Sequence, residues 1–302
     1  MTGNGRALIY NPVSGSADHA SAVLPRARGA GFDVRTTGGP GDGRRLAREA
    51  AADGASLIAV GGGDGTVNEV VHGLSDADAF DAVDVLVIPT GTANLFASSL
   101  GIADVDRAFE ALERGSRERI DVGYADERPF VNTCLAGLSA EANTATPAEL
   151  KRRLGAFAYV ITTLRMLRDY EGLPLHVTVD DEAGGDDTLE DRWQGAALVV
   201  LVTNAFRPPI VRRFDAASVR DGLFTVTILA DRPPDAVLGG GTLERLLSGE
   251  LTPVTRLETS ALSIRCLDDE PMTFSLDGEL LVADELDLRI RERCLSLYAD
   301  IP

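Results

Sequence analysis

Two kinds of apolar pattern divide the chain. In its first hundred residues, short apolar runs alternate with stretches of helical spacing. Residues 6–10, 56–60 and 83–88 are almost continuously apolar, with Asp84 the exception inside the last run. A strand that is apolar on both faces is buried on both faces, as in a parallel sheet covered by helices. Residues 32–37 read as a further strand, closed by the Gly and Pro cluster at 38–43. Between the strands, the segment up to about Gly29, residues 44–52, and the series Val67, Val70, Val71 and Leu74 read as helices. Strand–helix alternation of this kind predicts an α/β domain with a parallel sheet.

After Ile102 the pattern changes. Residues 104–114 are helical, and 119–124 and 129–134 read as strands. The longest helical pattern covers 149–170, with Leu150, Leu154, Phe157, Ile161, Leu164 and Leu167 on one side. From Pro174 onward strands dominate: 175–179, 196–203, 224–229, 261–266, 272–276 and 286–290, with an acidic hairpin loop at 180–191. Such a run predicts an antiparallel, β-sandwich-rich second domain. The boundary falls between about Gly123 and Pro129, giving domains over 1–125 and 126–290.

The chemistry concentrates where the first-domain strands end. Gly61-Gly62-Gly63-Asp64-Gly65-Thr66 joins the third strand to a helix. A helix N-terminus offers unpaired N–H groups and the positive end of a dipole, and glycines let a phosphate approach that backbone. Asp64 would repel a phosphate unless a divalent cation lies between them, which points to a Mg²⁺–nucleotide. Thr66 and Glu69 have the spacing of a capping box. Asn11–Gly15, Thr36-Thr37 and Pro89–Asn94 end the other three strands with small hydrogen-bonding residues. In such sheets ligands sit at the carboxyl ends of the strands. Four such loops make a nucleotide cradle without a phosphate-binding lysine. A Walker-type site is excluded, because no Gly-Lys-Ser/Thr occurs and Lys151 is the single lysine.

Composition narrows the partners. A formal charge of −18 over 302 residues argues against nucleic acid. Asp-rich, Lys-poor acidity suits a halophilic cytoplasm rich in salt; arginine in place of lysine by codon bias is the alternative. Cys134, Cys266 and Cys294 are unpaired in spacing and read as buried thiols of a reducing cytoplasm. His19, His72 and His176 are too scattered for a histidine metal site. The first residues form no apolar signal region, and the longest apolar run, 196–202, is too short to span a bilayer. The expectation is a cytoplasmic, soluble protein. Lys151, Arg152, Arg153, Arg165 and Arg168 form a basic cluster on the long helix, read either as a peripheral contact with anionic headgroups or as a solvated face.

Together these motifs resemble the diacylglycerol kinase catalytic-domain family, which includes bacterial lipid kinases and sphingosine kinases. The matching pieces are Asn-Pro-x-Ser-Gly at 11–15, Gly-Gly-Asp-Gly-Thr-x-Asn-Glu at 62–69 and Pro-x-Gly-Thr-x-Asn at 89–94. Asp121-x-Gly123, Leu154-Gly155, Asp221-Gly222-Leu223 and Asp277-Gly278-Glu279 follow in the family's order. Ser98 stands where the family often has arginine. The resemblance implies a first domain similar to phosphofructokinases and NAD kinases, to which residues 291–302 return, and a β-sandwich that holds the lipid. It implies ATP and Mg²⁺ as cofactors, with Asn11, Ser14, Thr37, Gly62, Gly63, Gly65, Thr66 and Thr92 lining the nucleotide. Asp64 would organise Mg²⁺ and phosphate, and Asp221 would hold a structural Mg²⁺. Glu279 would be the general base, with Asp121 and Asp277 beside it in the catalytic set. Asp277-Gly278 is also a favoured hairpin pair, and a turn can present a base. The expected activity is phosphorylation of a diacyl- or dialkylglycerol at a membrane surface, within phospholipid biosynthesis, by a chain for which a homodimer is allowed. An NAD kinase-like enzyme and a catalytically silent nucleotide- or membrane-binding protein are the alternatives.

Overall fold

A computed structural model describes residues 5–15, 19–138, 172–180, 189–204, 219–230, 254–268 and 270–299. The helix expected over 149–170 with its basic cluster, and most of the loop expected over 180–191, lie outside the described residues. The chain divides into two units. Unit 1 comprises 1–122, 128–131 and 291–302; unit 2 comprises 123–127 and 132–290.

Unit 1 is built on a sheet with strand order β2-β1-β3-β4-β15. These strands are β1 (Arg6–Tyr10), β2 (Asp33–Thr36), β3 (Leu57–Gly62), β4 (Asp84–Pro89) and the last part of β15 (Glu285–Tyr298). The first four run parallel, and Leu297 and Tyr298 add to β4 in the same sense. Every residue of β3 is buried. Ile9, Ile58, Leu86 and Ile88 are fully buried, and each such side chain contributes about 1.5–3 kcal/mol by leaving water. β2 and β3 flank β1, so the chain leaves β1 first to one side and then to the other. That is the switch point where crevices form in open α/β sheets.

Helices α1 (His19–Gly29), α2 (Asp42–Ala52), α3 (Asp64–Asp76), α4 (Leu95–Ser99) and α5 (Val105–Arg114) complete unit 1. α2 and α3 approach closely at Gly73, where a Cβ would lie 2.3 Å from the Arg44 carbonyl oxygen. Asp104 caps α5 by accepting from the Arg107 N–H at 2.9 Å, and Gly115 ends it in the left-handed conformation.

Unit 2 is antiparallel. Its main order is β14-β13-β7-β9-β8-β12-β15, with β10 between β9 and β11. The strands are β7 (Thr133–Leu138), β8 (Leu173–Asp180), β9 (Leu189–Thr203), β10 (Phe224–Ala230), β11 (Val254–Thr259), β12 (Ala261–Cys266), β13 (Met272–Leu276) and β14 (Glu279–Ala283), with the first part of β15. β5 (Arg117–Ala125) and β6 (Arg128–Phe130) carry the chain across the boundary. The second domain is therefore strand-rich as its pattern predicts.

Several elements differ from the sequence reading; among them β9 begins at Leu189, seven residues before the expected 196, and α4 was not expected. The single strand expected over 129–134 is two, β6 and β7, because the N–H groups of Asn132 and Thr133 turn to the Asp277 carboxylate. β15 runs eight residues past the expected end at Ile290, to Tyr298. It does so through a kink at Arg293, whose φ is +44° and whose N–H is taken by Asp121. β11 was not expected at all. The three cysteines are buried and unpaired, and burial raises the Cys294 thiol to about 11, which keeps it protonated. Among the described residues no helix is long and apolar enough to cross a membrane.

His72 on α3 is 7% exposed and packs toward β6, where its side chain bonds the Pro129 carbonyl. Burial, with Arg44 and Arg128 nearby, lowers its pKa from 6.5 to about 4, and Asp76 opposes this only in part. The unfolded chain binds a proton on this histidine below pH 6.5 and the folded chain does not, so stability falls as pH drops from about 6.5 to about 4. The contribution at the acid end is about 3 kcal/mol. Urea unfolding of wild type and His72→Gln at pH 7 and about 4.5 measures it. The acid loss is expected to be smaller in the variant; equal losses would contradict this assignment.

Candidate active site

Three loops of unit 1 meet at the carboxyl ends of its strands. β3 ends in Gly62, Gly63 acts as N-cap in extended conformation, and α3 begins at Asp64. The N–H groups of Asp64 and Gly65 open the helix and receive no partner from it, which leaves them for a ligand or water. Gly63 packs directly on Gly91 of the loop after β4: a Cβ on Gly91 would sit 2.4 Å from the Gly63 Cα. The loop after β1 closes the third side, and a Cβ on Gly15 would sit 1.9 Å from the Thr90 carbonyl oxygen. Its Ser14 hydroxyl would be 3.4 Å from a Cβ on Gly63.

Side chains fix this arrangement. Asn11 Nδ2 donates to Thr66 Oγ1 at 3.0 Å, and Asn11 Oδ1 accepts from the Val13 N–H at 3.1 Å. Asn94, itself left-handed with φ +47°, closes its loop by accepting from the Gly91 N–H and donating to the Gly91 carbonyl, both at 2.9 Å. Asp64 Oδ1 accepts from the Phe96 N–H at 2.9 Å, which ties the start of α3 to the start of α4. Thr37 is buried, and its N–H donates to the Tyr10 carbonyl at 2.9 Å, which puts it beside the first loop. Thr92 is exposed. The Thr90 hydroxyl is buried without a hydrogen-bond partner.

The capping box expected of Thr66 and Glu69 does not form. α3 starts two residues before Thr66, which is then already helical, and its hydroxyl goes to Asn11. Glu69 reaches α2 instead and accepts from the Gly41 and Gly43 N–H groups, both at 2.8 Å. Those donors lie at the start of a helix and carry its positive end. Sequence reading also missed the loop-closing role of Asn94; an asparagine after Gly and Thr, a residue that tolerates a left-handed backbone, was the available signal.

Gly65 is the informative residue. It is exposed, its φ lies outside the left-handed region, and a Cβ built on it would meet nothing within 4 Å. Neither packing nor backbone conformation requires glycine there. Gly65 itself lies in the first turn of α3, and the space over it is open. No Lys or Arg occurs in 11–15, 62–66 or 89–94, so the loops supply backbone N–H groups and hydroxyls only. Among the described residues no three His, Cys, Asp or Glu side chains stand together as a metal site. A Mg²⁺ at Asp64 would take one carboxylate from these residues and fill its shell with phosphate oxygens and water, the usual habit of this ion.

The remaining predicted acids lie elsewhere. Asp121 is fully buried at the end of unit 1, and its Oδ1 accepts from the Arg293 N–H at 2.7 Å. In unit 2, Asp277 and Gly278 form a two-residue turn with φ of +48° and +95°, the type I′ signature, between β13 and β14. Glu279 follows it at an exposed position, paired with Leu276. Asp221 is exposed, and its Oδ1 accepts from the Leu223 N–H at 3.0 Å.

Residues 6–125 match the model of the diacylglycerol kinase catalytic domain, and residues 132–299 that of the YegS C-terminal NAD kinase beta sandwich-like domain. The chain is 31% identical to a diacylglycerol kinase of Bacillus subtilis over 281 residues, covering 90% of this chain and 88% of that protein. It is 30% identical to a probable lipid kinase YegS-like of Pseudomonas putida over 301 residues, covering 99% and 96%. A putative diacylglycerol kinase from Bacillus anthracis str. Sterne has the same fold, with a TM-score of 0.79 at 22% identity over 98% of this chain and 95% of that one.

The glycines separate structural from ligand-directed roles. Gly65→Ala should raise stability slightly, since alanine favours a helix by up to about 1 kcal/mol, yet weaken nucleotide binding. Gly91→Ala should destabilise the fold, because its Cβ meets backbone at 2.4 Å. Thermal melting and nucleotide titration of both variants check this. Unchanged nucleotide affinity in Gly65→Ala would contradict the assignment.

Proposed function

This chain belongs to the diacylglycerol kinase catalytic-domain family, and from that premise we propose that it is an ATP-dependent lipid kinase acting on a diacyl- or dialkylglycerol. The observation that carries the nucleotide part of this reading is the glycine-lined meeting of three loops, with open space over Gly65. Its backbone donors suit phosphate oxygens, and Asn11, Ser14, Thr37, Thr66 and Thr92 are its polar neighbours. Asp64, held through one oxygen by the Phe96 N–H, would present the other to Mg²⁺. That ion supplies neutralisation of charge on the transferred phosphoryl group.

Phosphoryl transfer asks the protein mainly for positioning and electrostatic stabilisation. The lipid hydroxyl oxygen forms a bond to the γ-phosphorus as the bond to the bridging oxygen of ADP breaks. Glu279 takes the hydroxyl proton; its exposed place at the head of β14 suits a base that must be reached by substrate. Asp121 is buried, and its part is to hold the backbone of Arg293 in place. Asp221 would offer one carboxylate oxygen to a structural Mg²⁺. A neutral lipid alcohol needs only one proton removed, so a single carboxylate suffices. The work is that of a cytoplasmic protein at a bilayer surface, in phospholipid synthesis, and the acidic composition fits a salt-rich cell, where ether-linked dialkylglycerols would be the natural substrate.

Labelled ATP offered with a dialkylglycerol, a diacylglycerol, a sphingoid base, a polyprenol and NAD tests the reading. Label in a glycerolipid is expected. Label only in NAD, or only in the sphingoid base or polyprenol, overturns it. Glu279→Gln should keep nucleotide binding and lower kcat by about 10²–10⁴, the usual worth of a general base. Asp64→Asn should fold normally, since an amide oxygen can still accept from Phe96, and should lose transfer; retained transfer would remove Asp64 from the metal site.

A further inference from the structure

The Asp-Gly-Glu turn carries more than the base. Asp277 sits at the first turn position with φ +48°, a conformation that L residues other than Asn and Asp seldom adopt. Its Oδ1 accepts two hydrogen bonds, from the Asn132 N–H at 2.9 Å and the Thr133 N–H at 2.8 Å. Its own N–H donates to the Thr133 carbonyl at 2.9 Å. Three bonds therefore fasten the tip of the β13–β14 hairpin to Asn132 and to Thr133, where β7 begins. All the partners lie within unit 2, and they are 144 and 145 residues away in sequence.

The fastening has an evident object. β14 is an edge strand: among the described residues β13 is its one neighbour in the sheet. Glu279 is the first residue of that edge and is exposed. Among the described residues no strand pairs with the far side of β14, so within the sheet the position of Glu279 follows from β13 and the turn. The site of attachment is buried and hydrogen-bonded in its turn. Asn132 and Thr133 are 4% and 5% exposed, and the Asn132 carbonyl accepts from the Asn204 N–H at 2.9 Å. Cys134, next in the chain, is completely buried, and desolvation together with the nearby Asp277 charge raises its thiol pKa.

We propose that Asp277 is a positioning residue, whose carboxylate oxygen clamps the hairpin to the Asn132–Thr133 backbone and so fixes where Glu279 stands. It does not exchange a proton with substrate and does not hold a metal. This rests on the reading of Glu279 as the base. The clamp needs an acceptor oxygen on a residue that tolerates a left-handed backbone, and asparagine meets both conditions. Asn-Gly is itself a preferred type I′ pair. Glycine would keep the turn and lose the clamp.

The test compares Asp277→Asn, Asp277→Gly and Glu279→Gln in the full-length protein, with kcat, the KM for ATP and the melting temperature read for each. Asp277→Asn is expected to keep kcat within about threefold of wild type, and Asp277→Gly to lower kcat by about 10- to 100-fold, the scale of a misplacement near 1 Å, with the KM for ATP unchanged. If Asp277→Asn falls as far as Glu279→Gln, the carboxylate charge does chemistry and the clamp is overturned. If Asp277→Gly keeps wild-type kcat while Glu279→Gln loses it, the clamp alone is overturned. If Glu279→Gln keeps its kcat, the base assignment and the clamp fall together. Should Asp277→Gly melt well below wild type, the same kcat comparison is made on Asp277→Ser, whose shorter hydroxyl is expected to leave kcat lowered; wild-type kcat there overturns the clamp.

Discussion

Everything at the candidate site of unit 1 depends on how closely Gly63 and Gly91 approach. A single added carbon on Gly91 would lie 2.4 Å from the other backbone, a distance no packed atom tolerates. The contact sets the loop after β4 directly on the N-terminus of α3, and Gly15 brings the loop after β1 against Thr90 in the same way. With no side chain between them, the walls of the cradle are backbone. A parallel sheet delivers such loops to one edge because all its strands point the same way. Gly65 is the glycine there that packing leaves free.

A second regularity concerns the acids. Asp64, Asp121, Asp221 and Asp277 each give one carboxylate oxygen to a backbone N–H: of Phe96, Arg293, Leu223, and of Asn132 with Thr133. Charge-assisted bonds of this kind are shorter and stronger than neutral ones, and they hold a carboxylate in one orientation. Glu69, which sequence reading gave a local capping role, belongs to the same set through Gly41 and Gly43. In so acidic a chain these bonds let negative side chains act as struts beside the arginine ion pairs such as Arg44–Asp76.

The legible parts of the fold were those fixed by local pattern. β1, β3 and β4 were readable because burial on both faces leaves an almost continuous apolar run. The hairpin at Asp277-Gly278 was readable because the two residues tolerate positive φ. What could not be read was set by partners far along the chain. The break before β7 depends on an acid 145 residues away, and the extension of β15 past Ile290 on one 172 residues away. The exposed run Arg291–Arg293 looked like a strand end, since nothing nearby announces that Asp121 holds its kink. In the site, the three glycine loops were legible as motifs. The start of α3 was misplaced by three residues, with Gly63 and not Thr66 as its N-cap, which turned Thr66 and Glu69 from long-range contacts into a supposed cap.

The central claim is that the backbone of these three loops is the surface that receives a nucleotide's phosphates. Amide hydrogen exchange of the full-length protein, with and without Mg²⁺ and a non-hydrolysable ATP analogue, measures it directly. Added nucleotide is expected to slow exchange in residues 63–66, 91–94 and 12–15 more than anywhere else in unit 1. Binding of the analogue with protection confined to other segments would contradict the account.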